Sequence, residues 1–488
     1  MTSPSTKRPV PDTADTELAA KRLKEDSMEN ESLREKLAAA LDAEKEAKKQ
    51  ATATKEGEDD NILPFKGKVG SASDAGLNSS SNQTGLEAIR AGTVAAILLA
   101  GGQGTRLGLS GPKGKADIGL PSGRTLFALI AERIQKLRLL ASASSVTDSG
   151  DDSSSSSLPS LPLFIMTSPM NHEETENYFK DNNYFGLPST DVICFRQGTL
   201  PCVEVGGDDA STMKTIYETA DKVARAPDGN GGIFPALEST GCLGDMVKRG
   251  IEHLHVFSVD NALVRPADPA FVGYCINQRA DCGNKSLWRA APDEKVGVLV
   301  TKDDRPMVLE YSELSASMAS AVDETGKLKY GAANICSHYF SVDFIQNTVL
   351  KASASDIPYH IARKKIPYWD YEKKETVTPS KPNGIKLETF IFDVFPLSVS
   401  MAVWEVERTD EFAPVKNANA EGASDTPDTA RQLLSDLAEK WMADAGAKLH
   451  KTGEDTAMPF SEIAPATSYA GEGLEEYNGK VIVAPFTL

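Results

Sequence analysis

No apolar run in this 488-residue chain approaches the ~18 residues that a membrane-spanning helix needs, so no membrane span is expected. The six cysteines (Cys194, Cys202, Cys242, Cys275, Cys282, Cys336) include no CxxC pair. They read as reduced, mostly buried thiols of an intracellular protein, and Asn-x-Ser/Thr matches such as Asn78-Ser79-Ser80 then carry little meaning. The six histidines show no metal-ligand spacing, and no Ser/His/Asp nucleophile arrangement is visible. The first residues, MTSPSTKRPVPD, have no apolar core and are not a secretory signal. Positive charge is in deficit: the formal net charge is −18. That argues against sequence-independent nucleic-acid binding, which needs a basic face. It leaves an anionic small substrate open, provided that cations are concentrated at a site where burial makes them count.

What is present is long enough for two or three domains, with a hydrophobic content of 40% diluted by long polar segments. Met1–Asp60 is polar, charged and poor in aromatics. Within it, Met28–Gln50 carries Leu33, Leu37 and Leu41 at helical spacing, which predicts a solvated helix in a loosely ordered arm. Lys7-Arg8 and Lys21-Arg22-Leu23-Lys24 are patterned like a two-part nuclear localisation signal, although ordinary surface charge is the plainer account. Asn61–Thr84, rich in Gly and Ser, reads as linker. From Ala91 apolar strands alternate with amphipathic helices. A helix is predicted over Thr125–Leu140, a Ser-rich disordered insert over Ala141–Ser160, and a strand over Leu163–Met166 entering a helix around His172–Lys180. Further strands are predicted over Val192–Phe195 and His253–Val259. This alternation implies an α/β layered fold with a mainly parallel sheet, whose ligands bind at the carboxyl ends of the strands. Gly101–Gly104, Gln197 and Asp260 all fall there.

The densest chemical signal is Leu99–Gly114, LAGGQGTRLGLSGPKG, following the strand-like run Val94–Leu99. Four glycines (Gly101, Gly102, Gly104, Gly108) occupy a strand-to-helix connection with Arg106 and Lys113 embedded in it. Glycine lets backbone N–H groups turn toward a ligand and lets phosphates approach closely. The loop is not a dinucleotide fingerprint, because Leu107 stands where the third glycine belongs. Nor is it a Walker A loop, because Lys113 lies between Pro112 and Gly114. Turn formation alone accounts for two glycines, not for four with two cations, so a nucleoside triphosphate site is predicted. The turn cluster Ala226–Gly232 would face a flat ligand with exposed backbone groups. Asp260 in Val259-Asp260-Asn261 is either a Mg²⁺ ligand, since hard cations choose carboxylate oxygen, or a helix N-cap. Glu310-Tyr311-Ser312-Glu313, Asn334 before the strand Ile335–Phe340, Pro382–Lys386, Phe390 with Phe392, and Phe412–Asn417 complete the candidates. Alone, the Phe pair reads as core and a single lysine as surface. Without metal-ligand histidines or a nucleophile arrangement, the chemistry reads as phosphoryl or nucleotidyl transfer by positioning and charge.

In order, LLAGGQGTRLG, PKG, FGL, RQGTLP, APDGNGG, VDN, ADCG, VGV, EYSE, NI, KKIPY, PNGIKLETFIFD, DEFAPVKNA and SYAGEGLE run from about Gly85 to Tyr477. This set resembles the eukaryotic-type UDP-N-acetylhexosamine pyrophosphorylases. The related UDP-glucose enzymes carry Asn where Ala100 stands, so Ala100 and Gln103–Arg106 favour the acetylhexosamine branch. The resemblance implies a three-layer, Rossmann-like nucleotidyltransferase fold (the nucleotide-diphospho-sugar transferase fold) with a mainly parallel mixed sheet. Composition sets a polar, partly disordered N-terminal arm and linker over 1–84 ahead of a catalytic domain over 85–395, interrupted by the disordered insert 141–160. A small C-terminal domain over 396–488 would contribute Lys416.

The implied reaction joins UTP and N-acetylglucosamine-1-phosphate into UDP-N-acetylglucosamine and pyrophosphate by in-line attack, assisted by Mg²⁺ or Mn²⁺ and feeding chitin, glycan or GPI-anchor synthesis. By resemblance, Arg106 and Lys113 hold the triphosphate. Gln197, Gly229 and the backbone of Ala100, Gly101 and Gly102 read uracil, and Asp260 binds the metal. Asn230, Gly297, Glu310 and Asn334 hold the amino sugar. Tyr311, Phe390 and Phe392 wall it, and Lys386 and Lys416 contact its phosphate. Three departures stand out: the helical N-terminal region usual in the family is not recognisable in Met1–Asp60, Phe234-Pro235 replaces a frequent Tyr-Arg, with Pro235 suited to a first helical turn, and the Ser-rich insert is extra. The alternatives are the same chemistry on N-acetylgalactosamine-1-phosphate or glucose-1-phosphate, or a non-catalytic nucleotide-sugar-binding regulator, which the intact Arg106, Lys113, Asp260 and Lys416 oppose. Expected partners are small molecules only, with no nucleic acid or membrane, in a cytoplasmic monomer or weak homo-oligomer.

Overall fold

The computed structural model describes residues 31–45, 61–143, 158–205, 213–353, 356–451 and 460–488. They divide into two units, one drawn from 54–198, 230–352 and 390–488, the other from 1–53, 199–229 and 353–389. The basic pairs near the N-terminus and most of the Ser-rich insert (144–157) lie outside the described residues.

In the larger unit eleven strands build one mixed sheet. They are β1 (Ile62–Pro64), β2 (Lys68–Ser71), β3 (Val94–Leu99), β4 (Leu163–Thr167), β5 (Val192–Arg196), β6 (His253–Ser258), β7 (Cys282–Trp288), β8 (Val298–Lys302), β9 (Arg305–Leu309), β10 (Ala332–Ser341) and β11 (Met401–Glu405). The main row runs β2-β11-β7-β10-β6-β3-β4-β5. Its pairings are parallel except where β10 runs antiparallel to both β7 and β6. Every residue of β3 is buried, so both faces of the sheet are covered there. The strands and helices expected from Val94 to Val259 are all present, including α2 (Leu126–Ala143) and α3 (His172–Asp181). Pro235 does lie in the first turn of a helix, α4 (Ile233–Ser239).

Two expected boundaries are corrected. The stretch read as linker over 61–84 is structural: β1 and β2 join the sheet, and α1 (Ala75–Arg90) starts ahead of the expected boundary at 84/85. Asp74 caps α1, accepting from Leu77 N–H at 2.9 Å. The small residues that suggested a linker instead let α1 press onto α5 (Pro269–Asn277). A Cβ on Gly85 would sit 2.0 Å from Pro269 O, and one on Gly273 1.9 Å from Ser81 O. The boundary at 395/396 also dissolves, because β11 pairs in parallel with β7 inside the central sheet. Only the far C-terminal part, with α6 (Pro427–Asp444), builds a satellite core around Met442, Leu474 and Phe486.

The smaller unit holds a three-stranded sheet made by His360–Lys364, Gly384–Glu388 and Val203–Glu204. Residues 31–45 are helical, and Leu33, Leu37, Ala40 and Leu41 are buried against Val203, Met213, Ile385 and Leu387. The solvated arm helix is therefore corrected to a core helix. Arg363 anchors it further through two bonds to the Glu44 carboxylate, at 2.8 and 2.9 Å. The single catalytic domain expected over 85–395 is likewise corrected: 199–229 and 353–389 join this helix in a separate unit. No helix among the described residues is long and apolar enough to cross a membrane.

The central sheet buries two histidines on neighbouring strands. Neither His338 nitrogen has a hydrogen-bond partner among the described residues, and His255 bonds Ser337 Oγ through Nε2 at 2.8 Å. Burial pushes both rings down to about 3, with Lys285 adding to the fall at His255. The unfolded chain protonates near 6.5, so their stabilisation is complete above that pH and is withdrawn as pH falls from 6.5 toward 3. Each ring contributes a slope of up to about 1.4 kcal/mol per pH unit in that window. Urea midpoints measured from pH 7 to 4 should fall steeply, and His338→Leu should flatten the profile. An unchanged slope in that variant removes His338 as a cause.

Candidate active site

The glycine loop leaves the carboxyl end of β3 and folds back on itself. Gly104 N–H donates to Gly111 O at 2.8 Å, and Lys113 N–H to Gly102 O at 3.2 Å, so the Pro112-Lys113 limb lies against Gly102-Gln103. Asn171, just ahead of α3, spans the loop from below. Its Nδ2 donates to Ala100 O at 2.9 Å and to Gly102 O at 3.3 Å, while its Oδ1 accepts from Ser168 N–H. Gln197 follows β5 and is buried, and a Cβ on Gly101 would sit 2.4 Å from its Oε1. The amide side chain and the Ala100–Gly102 backbone thus form one polar corner.

Lys113 reaches across to the end of β6, where its Nζ lies 3.4 Å from Asp260 Oδ2, both side chains being largely shielded. Arg106 differs: it is exposed on the short 3₁₀ turn Thr105–Leu107. The Asp260 turn is joined to the segment before Lys416, since Val415 N–H donates to Asp260 O at 2.7 Å. Lys416 is itself exposed, 3.8 Å from Asp425 and 5.9 Å from the Phe412 ring centre.

Cys336 ties this corner to the remaining candidates. It sits in β10 at φ +55, where the pairing with β7 skips register between Asn284 and Ser286. Burial pushes its thiol up to about 12; Asp260 adds to the rise, while Lys416 and a hydrogen bond with Asn230 oppose it. Asn230 thus hydrogen-bonds the thiol, while Asp260 and Lys416 act on it only through their charge. Asn230 Oδ1 accepts from Ile391 N–H at 3.0 Å, which brings in the Phe390–Phe392 ring pair, half-buried with centroids 5.2 Å apart. Two residues before Cys336, Asn334 accepts the Cys336 N–H through Oδ1 at 3.1 Å, and its own N–H donates to Gly297 O at 2.8 Å. A Cβ on Gly297 would stand 3.1 Å from Glu310 Oε1, so Gly297, Glu310 and Asn334 form a second polar corner. Asn334 lies inside β10 rather than ahead of it.

Three predicted residues are not gathered by these contacts. Tyr311 is 48% exposed on the turn after Glu310. Gly229 and Lys386 belong to the smaller unit. There Gly229 holds φ +90 with the Thr389 carbonyl 2.3 Å from where a Cβ would be, and Lys386 pairs with Glu388. Asn171 and Cys336 were missed. An Asn between a strand end and a helix start was a usable signal for the first; nothing local marked the second.

No group of three or more His, Cys, Asp or Glu that could hold a metal occurs among the described residues. Asp260 offers one carboxylate, and a hard dication with so few protein ligands is completed by water and phosphate oxygens.

Comparison with known proteins fits this arrangement. The family model described as UTP--glucose-1-phosphate uridylyltransferase matches residues 45–460. The chain is 44% identical to the UDP-N-acetylglucosamine diphosphorylase 2 of Arabidopsis thaliana, over 82% of this chain and 76% of that protein. It is 41% identical to the UDP-N-acetylhexosamine pyrophosphorylase-like protein 1 of Mus musculus, over 83% and 79%. A solved structure titled as a putative UDP-N-acetylglucosamine pyrophosphorylase from Entamoeba histolytica superposes with a TM-score of 0.75 at 34% identity, covering 88% of this chain and all of that one. With a mainly parallel sheet, a glycine loop at its carboxyl edge and a match spanning both units, the chain belongs to the UTP--glucose-1-phosphate uridylyltransferase family.

Proposed function

We propose that the protein transfers the uridylyl group of UTP to N-acetylglucosamine-1-phosphate, giving UDP-N-acetylglucosamine and pyrophosphate. One observation carries this reading: Lys113 of the glycine loop pairs with Asp260 at the end of β6, and Cys336, whose thiol feels the Asp260 charge, bonds through its N–H to Asn334, which in turn bonds to Gly297 O. The relatives named for the acetylated amino sugar, at more than 40% identity, support the choice of sugar.

A phosphate oxygen of the sugar phosphate bonds to the α-phosphorus of UTP in line as the bond to the pyrophosphate oxygen breaks. Two anions must be brought together, so alignment and charge neutralisation do the catalytic work. Gln197 and the Ala100–Gly102 backbone pair with uracil, whose edge offers one N–H and two carbonyls; Gly229 is assigned to the same base. Lys113 and Arg106 take the triphosphate and the leaving pyrophosphate. Asp260 would hold Mg²⁺ or Mn²⁺ together with phosphate oxygens, and the ion when bound neutralises charge on the phosphates. Lys416 and Lys386 serve the sugar phosphate. Glu310, Asn230 and the Gly297 backbone take sugar hydroxyls, with Tyr311, Phe390 and Phe392 as walls.

Asn334 divides its amide between two tasks. Its Oδ1 is committed to Cys336 N–H, which leaves Nδ2 to donate to the acetamido carbonyl. Asn334→Asp keeps the acceptor and removes the donor. Its specificity constant for N-acetylglucosamine-1-phosphate relative to glucose-1-phosphate should fall about three- to thirtyfold. The carboxylate also repels the acetamido carbonyl and can accept from the glucose 2-hydroxyl, so both effects move the ratio in the same direction. Pyrophosphate release from UTP with a panel of N-acetylglucosamine, N-acetylgalactosamine and glucose 1-phosphates tests the whole reading. Turnover with glucose-1-phosphate equal to or above that with the amino sugars would sink it.

A further inference from the structure

Lys285 is out of place for a central strand. It lies mid-way along β7, its side chain only 2% exposed, with Nζ 2.5 Å from Asp268 Oδ2 and in contact with Glu411 Oε2. Asp268 uses its other oxygen to accept Ala270 N–H at the start of α5, and the second oxygen of Glu411 faces Arg265 Nη1 at 3.4 Å. Two acids and two cations balance, so the cluster offers no excess charge to a further ligand. It is also a poor stabilising device. Desolvation costs several kcal/mol per ion, and apolar replacement of such a cluster is often neutral or stabilising. What it supplies is a directional tie between the sheet and one particular loop.

That loop carries Lys416. Glu411 ends the short helix Arg408–Glu411, and its carbonyl accepts from Asn261 Nδ2 at 2.7 Å. Asn261 Oδ1 accepts Ala413 N–H at 2.8 Å, and Ala262 N–H donates to Ala413 O at 2.9 Å. Residues 411–415 thus run antiparallel along Asp260–Ala262, with Asn261 opposite Pro414. Past this zipped stretch the Lys416 N–H donates to Asp425 O at 2.7 Å, and its side chain projects between the Asp425 carboxylate and the Phe412 ring. Its backbone is therefore held by Asp425 on one side and by the zipped segment on the other, and the buried anchor of that segment is Glu411.

We propose that Glu411, clamped by Lys285, is a positioning residue that sets where Lys416 stands relative to Asp260 during uridylyl transfer. The inference rests on the role given to Lys416 above, and a double-mutant cycle separates the two. Glu411→Gln should lower kcat about 10- to 100-fold, the scale of a small misplacement of a reacting group. The KM for UTP should stay within about twofold, because the glycine loop and Gln197 are untouched. In a Lys416→Ala background the same substitution should cost less than about twofold, since the group it positions is already gone. Parent-like turnover of Lys416→Ala alone overturns the earlier role for that lysine. A slow Lys416→Ala in which Glu411→Gln multiplies the loss in full overturns only the positioning claim, as does a parent-like kcat in Glu411→Gln alone. If Glu411→Gln does not fold, the apolar pair Lys285→Met with Glu411→Leu is read in the same cycle against the same outcomes.

Discussion

Lys113→Ala is expected to lower kcat by about two to three orders of magnitude while the melting temperature stays near that of the parent. A fixed cation aimed at charge that grows on the leaving phosphates is worth about 3–4 kcal/mol in the transition state. Lys113 is fixed in that sense: its backbone is bonded to Gly102 O, and its shielded Nζ rests on Asp260. The folded protein loses little, because an ion pair at 3.4 Å with partial solvent access contributes no more than about 1 kcal/mol. Arg106 is exposed on its turn and has to be gathered in by the substrate. Arg106→Ala should therefore divide its loss between the KM for UTP and kcat. Steady-state kinetics in both directions, beside thermal melts, make the comparison. Near-parent turnover in Lys113→Ala would take the glycine loop out of the chemistry.

Removing residues 1–45 is expected to unfold the smaller unit. Burying a leucine is worth about 1.5–3 kcal/mol, so Leu33, Leu37 and Leu41 together contribute about 5–9 kcal/mol as an upper estimate. That is comparable with the whole stability of an ordinary domain, about 5–15 kcal/mol. The truncation also exposes Val203, Met213, Ile385 and Leu387, which the helix covers. In the full chain, Leu37→Ala should cost about 2–5 kcal/mol through the cavity it leaves. Amide exchange in Gly384–Glu388 reads both variants. Protection there equal to the parent's in the truncated protein would show that the helix is not part of this core.

The helix over 31–45 shows where composition misleads. Its polar and charged residues pointed to a solvated arm, while the spacing of Leu33, Leu37 and Leu41 correctly marked a helix with an apolar stripe. Whether such a stripe meets water or a partner surface depends on residues some 170 and 350 positions away, Val203 and Ile385 among them. Asn61–Thr84 failed for a related reason. Small residues are the signature of a flexible linker and equally of two helices in close contact, and only the approach of Gly273 to Ser81 O distinguishes them.

The chain alone determined the parts whose physics is local. The β3 strand, the glycine loop with Arg106 and Lys113, the α/β alternation and the motifs at strand ends all follow from periodicity, turn chemistry and charge over a few residues. The tertiary structure decided what is joined across hundreds of residues. It set Lys113 against Asp260, let Asn171 support the loop from the next strand, and bonded Cys336 to Asn230 within the field of Asp260 and Lys416. It also placed Lys285 beneath the segment that carries Lys416. A lone buried lysine, an asparagine after a strand or a cysteine in β10 has no sequence signal of its own. Its meaning comes from partners that only the packed sheet brings within hydrogen-bond distance.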